Sequence, residues 1–248
     1  MNNSENNLIG FYRAIGTMQS VKSEITGQFR AVAGKSGCWP QLVYQFNFEN
    51  NIEENLAHLL EKKSYSGCKM LAICNADDFR KLNQEKLREV LVFPVESWVN
   101  MEISELFDEK IPVNSGYKFR QLTNLSDFSE FTDLVNTGMM TTAKIADGFF
   151  AELAQNPQFQ FYGLFAENEL VSGLVTFTEK QISGLYFVVT KERFRGKGLA
   201  EILIGKTLNH LFEKGTERVV LQAVNKAVNL YSRIGFTAQG KLAILMKY

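Results

Sequence analysis

The chain has 248 residues, 45% of them hydrophobic and 22% charged, with 20 phenylalanines, enough apolar material for a sizeable core and more than one domain. Lys plus Arg and Asp plus Glu balance at 27 each, so no global basic field draws the chain to nucleic acid or to an anionic membrane. No stretch approaches the roughly 18 uninterrupted apolar residues of a membrane span, and the opening MNNSENNLIGFYRAIG lacks the basic start and apolar run of a secretory signal. A cytoplasmic protein is expected. Cys38, Cys68 and Cys74 are an odd number without CxxC spacing or neighbouring histidines, which argues against both a disulfide framework and a metal site.

In chain order, a helix is expected near Leu8 to Met18, then a loop at AGKSGCWPQ and a strand at LVYQFNF. Ile52, Leu56, Leu59 and Leu60 recur at helical spacing in IEENLAHLLEKK. KMLAICN reads as a buried strand, DDFRKLNQEKLREV as a helix, and the following residues as a strand pair ending in SWVNMEI. The Pro, Asn-Ser-Gly turn and charges of DEKIPVNSGYKF place a domain boundary there, giving an α/β lobe over 1–112 and a second domain over 117–248. Downstream, YKFRQL is a strand, and LSDFSEFTDLVNTGM a helix with Ser126 as N-cap and Phe128, Phe131 and Leu134 on one face. A short helix near Ile145 to Ala154 precedes the hairpin FQFYGLFAENELVSGLVTFTE, which turns at Glu167 to Glu169. GLYFVVT is continuously apolar, like a strand covered on both faces.

That strand runs into RFRGKGLAEIL, where three cations and two glycines give way to Ile204, Leu208, Leu211 and Phe212 at helical spacing, with Gly215 as a stop. A strand, a glycine turn and a helix N-terminus present unpaired amides and a positive dipole end, which suit a phosphate or pyrophosphate. Charged glycine turns also begin ordinary surface helices, so the turn alone leaves both readings open. Gly196-Lys197-Gly198-Leu199-Ala200-Glu201 is a poor dinucleotide fingerprint, and GQFRAVAGKS has Phe29 where a P-loop needs glycine.

Arg195-Gly196-Lys197-Gly198-Leu199-Ala200 resembles the R/Q-x-x-G-x-G/A loop of the GNAT superfamily of acyl-CoA N-acyltransferases, and NKAVNLYSRIGF, from Asn225 through Tyr231 to Phe236, is similar to that family's second signature. The resemblance covers about 117–248. It implies a GNAT-type mixed central sheet flanked by helices, an α/β (α+β) fold, with the smaller N-terminal lobe beside it. It further implies acetyl-CoA as co-substrate, with its pyrophosphate on the backbone of Arg195, Gly196, Lys197, Gly198, Leu199 and Ala200. Its pantetheine arm would lie along Val188, Val189 and Thr190, and Asn225 would make a polar contact. Tyr231 would face the departing sulfur as the acid.

Acyl transfer also needs a neutral amine. Deprotonating a lysine-like amine at pH 7 costs about 4 to 5 kcal/mol, an α-amino group only about 1. Glu179 and Tyr186, beside or on the central strands, are the candidate bases, and His58 and His210 fall on helices. The lobe over 1–112 has no glycine loop. LVFPVESWVNMEI faintly echoes IGFTAQGKLAILMKY, as a degenerate GNAT-like lobe shaping the acceptor cleft would. The expectation is an N-acetyltransferase acting on a small-molecule or peptide amine, with homodimerisation left open. The alternatives are a non-catalytic acyl-CoA sensor or scaffold, and a protein or peptide N-terminal acetyltransferase.

Overall fold

A computed structural model of the chain describes residues 2–46, 52–61, 70–106, 116–139 and 143–248. Helix α1 (Asn3–Ile15) starts earlier than its apolar spacing suggests, because the Asn2 side chain accepts the Glu5 N–H and caps it. A hairpin of β1 (Val21–Ile25) and β2 (Arg30–Gly34) follows, and it has no counterpart in the sequence reading. Next come β3 (Gln41–Tyr44), α2 (Ile52–Glu61) and β4 (Leu71–Asn75). The single helix expected over 77–90 is two, α3 (Ala76–Phe79) and α4 (Gln84–Glu89). Asn83 breaks it by accepting the N–H groups of Glu85 and Lys86 and starting a new helix. The expected strand pair is one long strand, β5 (Val92–Ile103).

The second half begins with β6 (Tyr117–Gln121) and α5 (Leu125–Gly138), whose cap is Asn124 rather than Ser126: its side chain accepts the Asp127 N–H at 2.9 Å. Helix α6 (Phe149–Leu153) is shorter than expected and starts after Gly148 at φ 76°. The hairpin forms as read, from β7 (Phe159–Ala166) and β8 (Glu169–Glu179), and is followed by β9 (Ile182–Thr190), α7 (Leu199–Glu213), β10 (Arg218–Val224), α8 (Val228–Ile234) and β11 (Thr237–Lys247). Of the segment 108–119 expected to hold a domain boundary, residues 108–115 lie outside the described residues.

The eleven strands of the described residues join one sheet in the order β1-β2-β3-β4-β11-β5-β10-β9-β8-β7-β6. The two halves repeat a pattern: β2 and β3 are antiparallel with β4 parallel to β3, and β8 and β9 are antiparallel with β10 parallel to β9. At the middle they trade strands. β5 from the first half sits between β10 and β11, and β11 from the second sits between β4 and β5. The two segments that echo each other in sequence are thus the central antiparallel pair. The sheet's hydrogen bonding therefore runs unbroken through both halves.

One face carries α1, α5 and α6 over a core that draws Val32, Leu42 and Ile244 from the first-half side and Phe131, Phe161 and Val175 from the other. The opposite face holds two cores. One is under α7 and α8, with Leu203, Leu208, Tyr231 and Val219; the other is under α2 and α4, with Leu56, Leu59, Leu87 and Leu245.

Candidate active site

Strands β9 and β10 pair only where Ile182, Ser183 and Gly184 face Arg218, Val219 and Val220. Beyond that point β9 stays with β8 as far as Thr190, and β10 stays with β5 as far as Val224, so a wedge opens between two parallel strands of a continuous sheet. The cause is local. The β8–β9 register shifts between Gly173 and Val175, and Phe187 takes φ 51°, a left-handed bulge conformation that turns β9 aside. Val188, Val189 and Thr190 lie on the parted segment, where β10 no longer occupies the backbone edge.

At the wide end of the wedge a 3-10 turn over Glu192–Phe194 leads to Gly196 at φ 75° and Gly198 at φ 74°, and α7 begins at Leu199. The amide groups from Gly196 to Glu201 have no acceptor among the described residues; the first bond into the helix is from Ile202 N–H to Gly198 O at 3.1 Å. A Cβ built on Gly196 or Gly198 meets nothing within 4 Å, so the concavity beside these amides is open. Six successive donors, a helix dipole end and free space fit a diphosphate.

The cations of the turn serve different ends. Arg193 and Lys191 both pair with Glu169, the latter at 2.8 Å, and Lys197 lies over the Phe194 ring. Arg195 donates from Nε to Thr190 O at 3.2 Å and from Nη2 to Gly138 O at 2.8 Å. Its guanidinium therefore ties the end of α5 to the tip of β9. Gly138 fits there because it has no side chain: a Cβ would stand 2.5 Å from the Val189 Cγ2. The cradle expected over Arg195 to Ala200 is shifted by one residue, because the Arg195 N–H donates to Glu192 O at 3.1 Å and the open row begins at Gly196; the sequence carries no signal for the side-chain bridge.

Tyr231 projects from α8 into the α7/α8 core, 8% exposed and edge-on to Phe236. Burial pushes its phenol up to about 12. The hydroxyl has no hydrogen-bond partner among the described residues and is not one of the unpaired atoms sealed from solvent, so it is available as a donor. Asn225 stands in the turn that ends β10, and its Nδ2 donates to Ser97 Oγ on β5 at 3.4 Å.

Neither expected base is placed to act as one. Tyr186 is packed under α1, stacked on Phe11 at 3.7 Å, and donates its O–H to Asn7 Oδ1 at 2.7 Å. Burial raises it far above an ordinary phenol, so it stays neutral. Glu179 is ion-paired with Arg13 at 2.8 Å and lies opposite Ile182, at the closed end of the wedge. Six residues of strand separate Ile182 from Val188, roughly 20 Å at the usual rise. His210 lies against Tyr162 with Nε2 buried and unpaired, and burial lowers its pKa; His58 is exposed on α2. The Gly34-Lys35-Ser36 segment enters a 3-10 turn, not the helix that a P-loop requires. Cys74 is buried, its thiol pushed up to about 12, and Cys68 lies outside the described residues. No group of three or more metal-ligating side chains occurs among the described residues, nor is any of their helices long and apolar enough to cross a membrane. A cavity of about 320 Å³ lined by Gln121, Phe128, Gln155 and Phe161 lies at the outer edge of the sheet, apart from the wedge.

The site is thus a mixed sheet parted between parallel strands, with an open amide row where one of them meets a helix. Residues 133–243 match the family model described as an acetyltransferase (GNAT) domain. No curated protein matches it in sequence. Among solved structures, a GCN5-related N-acetyltransferase from Kribbella flavida aligns over 100% of this chain and 96% of its own, with TM-score 0.68 and 12% identity. An acetyltransferase of the GNAT family from Novosphingobium aromaticivorans, described as putative, aligns over 99% and 97%, with TM-score 0.61 and 17% identity. A GCN5-related N-acetyltransferase from Sphaerobacter thermophilus covers 90% and 81%, with TM-score 0.65 and 13% identity. The shared fold thus extends through the first half as well as the second.

Proposed function

We propose that the chain transfers an acetyl group from acetyl-CoA directly to a primary amine, with 117–248 as the catalytic domain and 1–112 as a GNAT-like lobe that shapes the acceptor side. The observation that carries this reading is the row of open amides from Gly196 to Glu201 at the mouth of the β9–β10 wedge. The diphosphate would sit on those amides, the pantetheine arm would run along Val188 to Thr190, and the thioester would lie within reach of Asn225 and Tyr231. Bound there, acetyl-CoA supplies an activated acetyl carbon. The acceptor's ammonium first loses one proton to solvent; the amine nitrogen then bonds to that carbon, the carbon–sulfur bond breaks to release the thiolate, and the nitrogen's remaining surplus proton leaves to solvent.

Tyr231 hydrogen-bonds the departing sulfur. With its phenol at about 12 and a thiol near 8.5, complete proton transfer would be uphill by about 5 kcal/mol. A hydrogen bond that strengthens as charge grows on sulfur is therefore its contribution. With Glu179 ion-paired and Tyr186 buried and neutral, an acceptor of low basicity is favoured, such as an α-amino group. A cytoplasmic setting is part of this reading. Thiol release measured across polyamines, amino acids, aminoglycosides and short peptides tests it. Turnover with at least one amine, lost in Tyr231→Phe, is expected. Acetyl-CoA binding without turnover of any amine would instead favour the acyl-CoA sensor.

A further inference from the structure

The acceptor reaches the site as an ammonium at neutral pH, and an ammonium needs a counter-charge where the amine is to be held. The wedge itself offers none: β9, β10 and β11 contain no carboxylate. The strands bordering them, β5 and β8, contain four, Glu96, Glu102, Glu169 and Glu179. Three already hold cations of the protein: Glu102 holds Arg218, Glu169 holds Lys191 and Arg193, and Glu179 holds Arg13. Glu96 has no cation partner among the described residues. It is exposed, and its carboxylate accepts the Trp98 indole N–H at 3.1 Å.

Register puts this pair beside the chemistry. Trp98 is opposite Val224 on β10, one residue before Asn225, and Ser97 accepts the Asn225 amide. Alternation along β5 then decides the face. Asn100 and Glu102 meet Ser4, Glu5 and Asn3 of α1, while Val99, Met101 and Ile103 pack into the core of Tyr231. Glu96 and Trp98 therefore lie on the α1 face, the same face as Phe187 and Trp39, and Tyr231 lies on the other. A thioester held in the wedge would have its acid on one side of the sheet and a carboxylate beside an indole on the opposite side. That combination suits an ammonium, by ion pairing and by contact of the cation with the indole face.

We propose that Glu96 and Trp98, on the strand that the first half contributes to the second, bind the acceptor's ammonium group and select cationic acceptors. This rests on the acetyltransferase reading. It also gives the strand exchange a purpose: the lobe without a glycine loop supplies the acceptor-binding residues.

The experiment uses the full chain saturated with CoA and n-butylammonium as probe. The protein has two tryptophans, so two indole N–H resonances are expected by NMR, assigned with Trp98→Phe. Butylammonium should shift the Trp98 resonance saturably, and Glu96→Gln should weaken that binding about tenfold or more while leaving CoA affinity by calorimetry within about twofold. In turnover with glycinamide, Glu96→Gln should raise the amine KM by a similar factor with little change in kcat. Absence of a saturable shift in the wild type, or the same affinity in Glu96→Gln, overturns the inference. Failure of the wild type to bind CoA in the calorimeter would overturn the acetyltransferase reading instead, so the two failures are told apart.

Discussion

Gly198 offers the sharpest test of the amide row. At φ 74° a side-chain-bearing residue is strained by about 1 to 2 kcal/mol, and relief of that strain would turn the Leu199 to Glu201 amides out of line. The Cβ of an alanine meets nothing in the protein, so no clash adds to the cost, but it enters the space the diphosphate needs. If the strain is relieved in the free protein and restored on binding, Gly198→Ala weakens CoA binding by about 5- to 30-fold, and Gly198→Val, bulkier in that space, by more. Gly215 is the control. It has φ 89° and equally open surroundings, but at the far end of α7, so Gly215→Ala should lower stability comparably and leave CoA affinity alone. Calorimetry with CoA and thermal unfolding on both variants separate the effects. Wild-type affinity in Gly198→Ala, or equal losses of affinity in the two variants, would refute the assignment of the anion to these amides.

Tyr231→Phe should lower kcat by about 10- to 100-fold with CoA affinity unchanged, and because burial holds the wild-type phenol at about 12, activity should show no loss from its ionisation below pH 10. Tyr186→Phe leaves the buried Asn7 Oδ1 without its donor, so it should cost about 1 to 3 kcal/mol in chemical denaturation and little in kcat. A large kcat loss at unchanged stability would restore Tyr186 to the chemistry. Arg195→Ala, which cuts the bridge between Gly138 and Thr190, should raise the acetyl-CoA KM about 3- to 10-fold, whereas Arg193→Ala, at an exposed pair with Glu169, should change it less than twofold. Burial raises the pKa values of Tyr12, Tyr44, Tyr162, Tyr186 and Tyr231. Folding then favours their protonated forms, and that stability is intact below pH 10 and lost as pH rises through the raised values. An ultraviolet titration should show these five of the eight tyrosines ionising only as the protein unfolds.

The second half was legible because its signals are local: a glycine turn before an apolar helix, a hairpin with a polar turn, and two motifs at their usual separation. The first half was less so. The β1–β2 hairpin has no glycine-asparagine turn at its tip, β1 shows one buried residue followed by four exposed, and its alternation is too weak to read. Asn83 divided an expected helix because side-chain capping competed with a continuous apolar period. Tyr186 and Glu179 have the chemistry and chain position of a base, but burial under α1 in one case and an ion pair with Arg13 in the other are facts of tertiary packing. The same holds for Glu96, which is remote in sequence from every motif and reaches the site only because β5 crosses to the other half.

The most direct measurement is the structure of the protein crystallised with acetyl-CoA. The account predicts one molecule per chain, its diphosphate on the Gly196 to Glu201 amides, its pantetheine paired to Val188 through Thr190 in the β9–β10 wedge, and its sulfur within hydrogen-bond reach of Tyr231. Acetyl-CoA bound elsewhere, or a wedge still empty at saturating acetyl-CoA, would contradict it.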